Sequence, residues 1–307
     1  MTAVVSLGAV HVPVVVRLTG WEAGPLAYAV SFLPWVVVAC VVPLVFAVLG
    51  RSRVLMAAVF VPFALGVVWL APLYDSASAA KTSGVELRVA TINATLGQAD
   101  AEAIVRMVRD RSIDVLAVEE LTPSEADALK AAGLDAELSY RELLPQLGVE
   151  GTGVWSRLAL NSARSVEGLT AHAVRVSVTV GMQPVTIYAV HPAAPGLFDH
   201  SRWVNDMGAL AGILSTSDGP VIVAGDFNTT RDHRAFRDLE ALGFSDAVDQ
   251  AGAGFLPTFP NGGFPTPVVA IDHVMANDTR LSAVSASTVA ISGADHRALV
   301  VTYLWQD

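Results

Sequence analysis

The hydrophobic pattern of the chain changes once. Residues 26–49 are 24 positions without a formal charge, and residues 54–73 are 20 more. Beyond residue 85, apolar stretches become short and alternate with polar ones. About 20 apolar residues carry a helix across a bilayer, so 26–49 and 54–73 are predicted to be membrane spans. Pro34, Pro43, Pro62 and Pro72 are tolerated there more readily than in a soluble helix, and Trp35 and Trp69 suit headgroup level. Residues 2–16 are apolar but short, with His11 and Pro13 inside them, and are a candidate third span. The chain therefore divides into a membrane region at 1–73, a small polar linker at 74–84 suited to a flexible tether, and a domain at 85–307.

Within that domain two periods recur. Apolar or alternating stretches at 85–92, 113–118, 153–157, 171–180, 184–190, 221–226, 268–276, 284–291 and 297–304 are predicted strands. Ile104, Val105 and Val108 recur at helical spacing within 99–111, and Trp203, Met207, Leu210 and Leu214 do so within 201–215. Thr122, Pro123 and Glu125 form a helix-start signature closed by Gly133. A short helix at 232–242 carries Phe236 and Leu239, with Asp232 as its N-cap and Gly243 as its stop. Strands dominate and amphipathic helices lie between them. The pattern fits an α+β fold: two packed mixed sheets flanked by helices, a four-layer α/β/β/α sandwich.

Charge sharpens the division. The whole chain is formally −10, but only three basic and two acidic residues precede Lys81, so the remainder carries 16 basic and 27 acidic residues, a formal −11. Two arginines, Arg51 and Arg53, sit in the tight turn between the two spans, which marks that turn as cytoplasmic. The expectation is a multi-pass protein of the cell membrane with its acidic domain on the extracytoplasmic side. The single cysteine, Cys40, excludes an intrachain disulfide and any cysteine-based metal site. Strong nonspecific duplex binding is disfavoured because no basic run is present; Arg231, Arg234 and Arg237 are the nearest thing to a basic cluster.

Candidate chemistry gathers at the ends of the apolar strands: Asn93, Glu120, His191, Asp226 with Asn228, Asp272, and Asp295 with His296. Asp226 and Asn228 stand two positions apart at the end of an extended segment, so both can reach one point. Singly, each has a structural explanation in a turn, a solvated strand end or a sheet pair. Jointly they supply carboxylates for a hard divalent ion, two histidines for proton transfer and two carboxamides for phosphate. His172 and His273 fall on alternating strands and are expected to be structural, His273 pointing away from Asp272. Loops 192–199 and 255–264 are expected to rim the cleft, with Trp203 supporting the first.

These stretches resemble the endonuclease/exonuclease/phosphatase (DNase I-like) superfamily. They are Val89-Ala-Thr-Ile-Asn93, Asp114-Val-Leu-Ala-Val-Glu-Glu120, Val185-Thr-Ile-Tyr-Ala-Val-His191, Gly225-Asp-Phe-Asn228, Ile271-Asp-His273 and Ala294-Asp-His-Arg297. Membrane helices ahead of such a domain look like a membrane-anchored bacterial branch. The resemblance implies a hydrolase acting on phosphoric esters with Mg²⁺, or Mn²⁺ in its place. It implies that Glu120 is the principal metal ligand, with Asn93 beside it for ion and phosphate and Asp295 as a second carboxylate. Glu119 stands where the family often has Gln. Asp226 corresponds to the group that orients or deprotonates the attacking water, Asn228 to the phosphate binder, His296 to the catalytic histidine oriented by Asp272, and His191 to a histidine that contacts phosphate or assists the leaving group. The partners implied are a phosphate-ester substrate (nucleic acid, nucleotide or lipid phosphate) and the membrane, with no protein partner. The alternative function is a catalytically silent, membrane-anchored binding module of the same fold.

Overall fold

The computed structural model describes residues 2–75, 83–262 and 267–306. Most of the expected linker, 76–82, and Phe264 of the expected rim lie outside those residues. Four helices come first: α1 (Thr2–Thr19), α2 (Pro25–Ser31), α3 (Leu33–Leu49) and α4 (Arg53–Leu70), the last continued by a 3-10 turn at Ala71–Tyr74. The domain follows as β1 (Val85–Asn93), α5 (Ala101–Asp110), β2 (Val115–Glu119), α6 (Pro123–Ala131), α7 (Leu134–Glu137), β3 (Tyr140–Leu144), β4 (Thr152–Ser156), β5 (Leu160–Val166), β6 (Ala173–Val180) and β7 (Gln183–Val190). It ends with α8 (Ser201–Ser215), β8 (Val221–Asp226), α9 (Arg234–Ala241), β9 (Ser245–Asp246), α10 (Ala247–Ala251), β10 (Asp272–Ala276), β11 (Leu281–Ala290) and β12 (Arg297–Trp305).

Two six-stranded mixed sheets form, in the orders β11-β12-β1-β2-β4-β3 and β5-β6-β7-β8-β10-β9. Each pairs two parallel central strands, β1 with β2 and β7 with β8. The period of two explains the layers. Leu87 and Val89 of β1, Val115 and Ala117 of β2, Ile187 and Ala189 of β7, and Ile222 and Ala224 of β8 share the core between the sheets. The alternate residues face outwards: Ala90 and Ile92 pack with Ile104, Val105 and Val108 of α5, and Val221 and Val223 with Trp203, Met207 and Leu210 of α8. This is the α/β/β/α sandwich. As the capping signature predicts, the Thr122 hydroxyl accepts the Glu125 N–H at 3.1 Å at the start of α6.

The N-terminal helices make a small core of their own from Val10, Val14, Val36, Cys40 and Val59. The span expected at 26–49 is not one helix: α2 and α3 bend by 72° at Phe32. Pro34 in the first turn of α3 has no N–H and its ring excludes the carbonyl four residues back, so α2 cannot run on through it. Among the described residues one helix, Arg53–Tyr74, has the length and hydropathy to cross a membrane, or two if the bent pair is counted. Residues 2–16 fall within α1, which extends to Thr19.

These helices are fastened to the domain at one end. Arg17 Nη1 meets the buried Asp232 carboxylate at 2.5 Å, and Arg237 Nη2 donates to Arg17 O at 3.0 Å. Arg231 donates to Trp69 O at 2.7 Å and also pairs with Asp249. The Arg234 N–H reaches Glu22 at 2.6 Å, and His233 Nε2 contacts Ala27 O at 2.9 Å. One expectation is therefore corrected. Asp232 is not a helix cap; it is an interface carboxylate, and α9 begins after His233 without a side-chain cap. The guanidinium groups of Arg231 and Arg237 are engaged at this junction, with Trp69 O and Asp249 and with Arg17 O and Asp232 O, in keeping with the expected absence of a basic nucleic-acid surface. Leu73, just past α4, is buried within the inter-sheet core.

Candidate active site

The core between the sheets turns polar at one end. On β1 the inward face runs Leu87, Val89, Thr91, Asn93; on β2 it runs Val115, Ala117, Glu119. On β8 it runs Ile222, Ala224, Asp226, and on β10 Val274 precedes Asp272 along the same face. The site is thus the polar continuation of rows that are apolar further down, and the strand period aims its side chains at one another. Asp226 and Asp272 are direct cross-strand partners. Val190 pairs with Gly225, which puts His191 beside Asp226. That pairing needs glycine: a Cβ at Gly225 (φ +152) would lie 1.9 Å from Val190 O.

Two site residues leave their strands in the left-handed region, Glu120 at φ 52 and Asn228 at φ 49. Such backbone is uncommon for a residue with a Cβ and concentrates at functional sites. Here it lifts each side chain off the end of a strand and over the cleft.

Seven of the expected residues meet through direct contacts. Asn93 Nδ2 donates to Glu120 Oε1 and to Asp226 Oδ2, each at 3.1 Å. Its oxygen accepts the Thr95 N–H at 2.9 Å, so the carboxamide presents nitrogen, not oxygen, between the two carboxylates. Glu120 Oε2 also accepts the Leu96 N–H at 2.8 Å. Asp226 Oδ2 lies 3.6 Å from His296 Nε2 and 3.6 Å from His191 Nε2. Asn228 N–H donates to Asp226 Oδ1 at 2.8 Å, and its amide spans Pro192 O at 3.0 Å and His191 Nε2 at 3.3 Å. His296 Nδ1 is 2.9 Å from Asp272 Oδ2. Asp295 stands apart at the exposed rim, where Thr95 holds it: its N–H donates to Thr95 Oγ1 at 2.8 Å, and Thr95 Oγ1–H donates back to its carboxylate.

Electrostatics separates the groups. Burial alone would lower the His296 imidazole, but the Asp272 and Asp226 carboxylates outweigh it and raise it to about 10. Burial would raise Asp226; the His296 and His191 cations and the Asn228 N–H outweigh that and hold it at about 2. Burial and the neighbouring Asp226 charge push the Asp272 carboxyl upward against the pull of His296. The pair is held as imidazolium and carboxylate, because both acids favour the proton on His296. His191 is likewise moved up, its burial outweighed by Asp226 and Glu120. Its Nδ1 is fixed by Val149 O at 3.1 Å. Its Nε2 stands between an amide that suits the bare nitrogen and a carboxylate that suits the protonated one.

Asp226, Asp272 and His296 present ligand atoms within 4.8 Å of one another. A hard divalent ion fits poorly there, because a cationic imidazole bonded to Asp272 has no lone pair to offer. Glu120 and Asp295 fit better. They are oxygen donors at the open end of the cleft, as Mg²⁺ requires while it keeps several waters.

Several residues escaped the sequence reading. Glu119 is fully buried and its two oxygens each lie 2.9 Å from the Thr91 hydroxyl. Burial, with Asp272 and Asp226 nearby, pushes its carboxyl well above the usual range. Thr91 could have been found by its position two residues before Asn93. Phe259 packs its ring 4.9 Å from the His296 ring, and the Asn261 amide donates to Ile291 O and Ala294 O at 2.9 Å, so the described part of loop 255–264 does border the site. Trp203 donates to Thr229 Oγ1 at 2.8 Å, and Asp206 braces the other loop through the Ala193 N–H at 2.8 Å. His273 is a core residue, bonded to Asp246 at 2.7 Å and Thr229 O at 2.9 Å. His172 lies outside β6 and is exposed.

Comparison with known proteins agrees with this geometry. Residues 90–296 match the Endonuclease/Exonuclease/phosphatase family. Among solved structures, a family protein from Leptotrichia buccalis is 16% identical, covering 71% of this chain and 100% of that one at a TM-score of 0.59. D. rerio TDP2 in complex with a single-strand DNA product is 16% identical, covering 71% and 98% at 0.57. A mannosyl-6-phosphatase of Bacteroides thetaiotaomicron is 13% identical, covering 71% and 100% at 0.56. At these identities the structures share the fold alone. Comparison with curated proteins finds no match. With more than half of its length matched in family order, the chain belongs to the endonuclease/exonuclease/phosphatase family.

Proposed function

We propose that the chain is a membrane-anchored, divalent-metal-dependent phosphoesterase. The observation that carries this reading is one continuous string of contacts: Asp272 to His296 to Asp226, then through Asn93 to Glu120, with Asn228 and His191 on the far side of Asp226. Such a string links a proton acceptor, a buried cation and a carboxylate at an open edge. Asp226, anionic at neutral pH, accepts a proton from an attacking water held near it. The His296 imidazolium, oriented by Asp272, faces the charge that grows on the phosphoryl oxygens. The Asn228 amide N–H that meets His191 Nε2 is released when that nitrogen is protonated, and it can then serve a phosphoryl oxygen while His191 gives or shares its proton on the same side. Glu120 and Asp295 would hold the ion, with Asn93 fixing the Glu120 carboxylate. When bound, the ion would offset charge on the phosphate and on the leaving oxygen.

Anchoring is supported by the apolar Arg53–Tyr74 helix and the bent pair before it. In the multi-pass arrangement with an extracytoplasmic domain, Arg51 and Arg53 lie at the end of the bundle opposite Trp69, which binds Arg231. A C-terminal reporter active only outside the cytoplasm should be active; a silent fusion overturns the orientation. For the chemistry, the full chain in detergent should hydrolyse bis-p-nitrophenyl phosphate with Mg²⁺ or Mn²⁺. Asp226→Ala and His296→Ala should each lose roughly 10²- to 10⁴-fold. Turnover by the variants equal to that of the parent would sink the assignment.

A further inference from the structure

The two strips of chain that border the cleft are both fastened to the same short piece of the membrane region. On one side, Asn228 Nδ2 is bonded to Pro192 O, and three residues on the Tyr28 hydroxyl of α2 donates to Pro195 O. The Gly24 N–H before α2 donates to His200 Nδ1 at 3.3 Å. On the other side, Phe259 packs on His296, while the ring of Phe255 meets Trp35 at 6.0 Å and Trp35 Nε1 donates to Val268 O at 2.7 Å. Residues 24–35 therefore lie beneath both edges of the site.

That segment has the geometry of an interfacial helix. α3 is 17 residues long, about 26 Å at the helical rise, close to a hydrocarbon thickness of about 30 Å. With α3 upright, the 72° bend lays α2 nearly along the membrane plane. Amphipathic aromatics settle at that level, and here they are exposed: Trp21 69%, Tyr28 42%, Phe32 46% and Tyr74 67%. The catalytic domain adds its own at the same level. Phe198, in the loop anchored by Tyr28, is 92% exposed and Leu197 beside it 47%. Leu147 and Met182 are also exposed on this domain, so exposure alone decides nothing; what sets Leu197 and Phe198 apart is that they are adjacent and sit on a loop fastened to α2, where a bilayer would cover them.

The geometry points to a lipid as substrate: a phosphoester whose phosphate lies at the bilayer surface and whose acyl or prenyl chains stay in it. It rests on the phosphoesterase reading and names the substrate class. The phosphate enters between Pro192 and Phe259, and the Leu197–Phe198 tip sinks among the lipid chains. The net −11 of residues 81–307 gives neither a nucleic acid nor an anionic lipid surface a favourable field, so the apolar tip and not charge has to supply the preference for lipid.

The test uses the full chain reconstituted in vesicles of phosphatidylcholine with 20% phosphatidic acid or phosphatidylglycerol as probe (roughly physiological anionic content), alongside bis-p-nitrophenyl phosphate and single-stranded DNA. The expected result is turnover of at least one anionic lipid above that of DNA. Phe198→Ser should cut lipid turnover about tenfold or more, from the loss of one inserted aromatic side chain, while hydrolysis of the soluble ester changes by less than about twofold. Hydrolysis of the soluble ester without any of either lipid, preference for DNA, or an equal loss of lipid and soluble turnover in Phe198→Ser overturns the lipid inference and leaves the phosphoesterase reading standing. Failure to hydrolyse every probe removes both.

Discussion

Asp272→Asn removes one negative charge 2.9 Å from His296 Nδ1 and keeps the side-chain shape at the start of β10. At that separation and an effective dielectric of about 20, two unit charges interact by about 6 kcal/mol, or about four pKa units. His296 stands at about 10 against an ordinary 6.5, so losing Asp272 cancels the elevation. Burial then opposes Asp226, which remains at 3.6 Å, and the imidazole should titrate at about 6 to 7. The shift is read directly from histidine ring resonances in isotope-labelled full-length protein followed against pH. The parent should keep the His296 cation through pH 9, and the variant should lose it around neutrality. Stability carries the same sign. A folded pKa raised above the unfolded one contributes stability that is complete below pH 6.5 and is lost as pH rises through about 10, up to about 5 kcal/mol. Thermal midpoints of the parent should fall across that window, and those of Asp272→Asn should lose that slope. If His296 still titrates near 10 in Asp272→Asn, the Asp272 pair is not what holds its charge.

Three further outcomes follow from the same contacts. Asp226 is depressed to about 2, so its contribution is present above pH 3.8 and lost as pH falls through 2; Asp226→Asn should flatten the acid limb of the melting curve. Glu120→Gln should weaken Mn²⁺ binding about tenfold or more by calorimetry while leaving the fold intact, and an unchanged affinity would place the ion elsewhere. Arg17→Met removes the nearest of the three guanidinium groups around Asp232, Arg231 and Arg237 remaining, and should cost up to about 3 kcal/mol in the full chain; Arg17→Met with Asp232→Leu should recover most of it, and a double variant no better than the single would mean that the pair is not coupled.

What could be read in advance depended on range along the chain. The inter-sheet rows were visible because Leu87, Val89 and their counterparts on β2, β7 and β8 repeat at the strand period, and the polar ends of those rows stood out against them. Of the strands at the sheet edges, β11 was anticipated at 284–291 but β3, β5 and β9 were not. β3 and β5 show mostly exposed or half-exposed positions, so they lack the apolar row that marks a strand, and only pairing with β4 and β6 makes them strands. The bend within 26–49 was hidden by composition, because apolar residues fill both limbs and only Pro34 separates them. Of the left-handed residues, Asn228 is a type that adopts this region readily, whereas Glu120 carries no local warning. The role of residues 231–237 at the junction was hidden for a different reason: their partners Arg17, Glu22 and Trp69 lie more than 160 residues away, beyond what any local pattern encodes. Glu119 and Glu120 are neighbours with opposite fates, one sealed against Thr91 and one at the cleft mouth, and the deciding fact is the left-handed backbone of Glu120 where β2 ends.

Leu73 in the inter-sheet core has a consequence for how such a domain travels. Modules that move between proteins are ordinarily joined to their hosts by chain alone, and cutting the join exposes nothing. Here the cut would uncover the apolar wall that Leu73 fills, the Gly254 N–H that donates to Leu73 O at 2.7 Å, and the carboxylates and guanidiniums of Asp232, Arg231 and Asp249. A descendant without the helices would have to repaint that whole underside. The N-terminal helices and the sandwich domain are in this sense inherited together, as one object with a single surface.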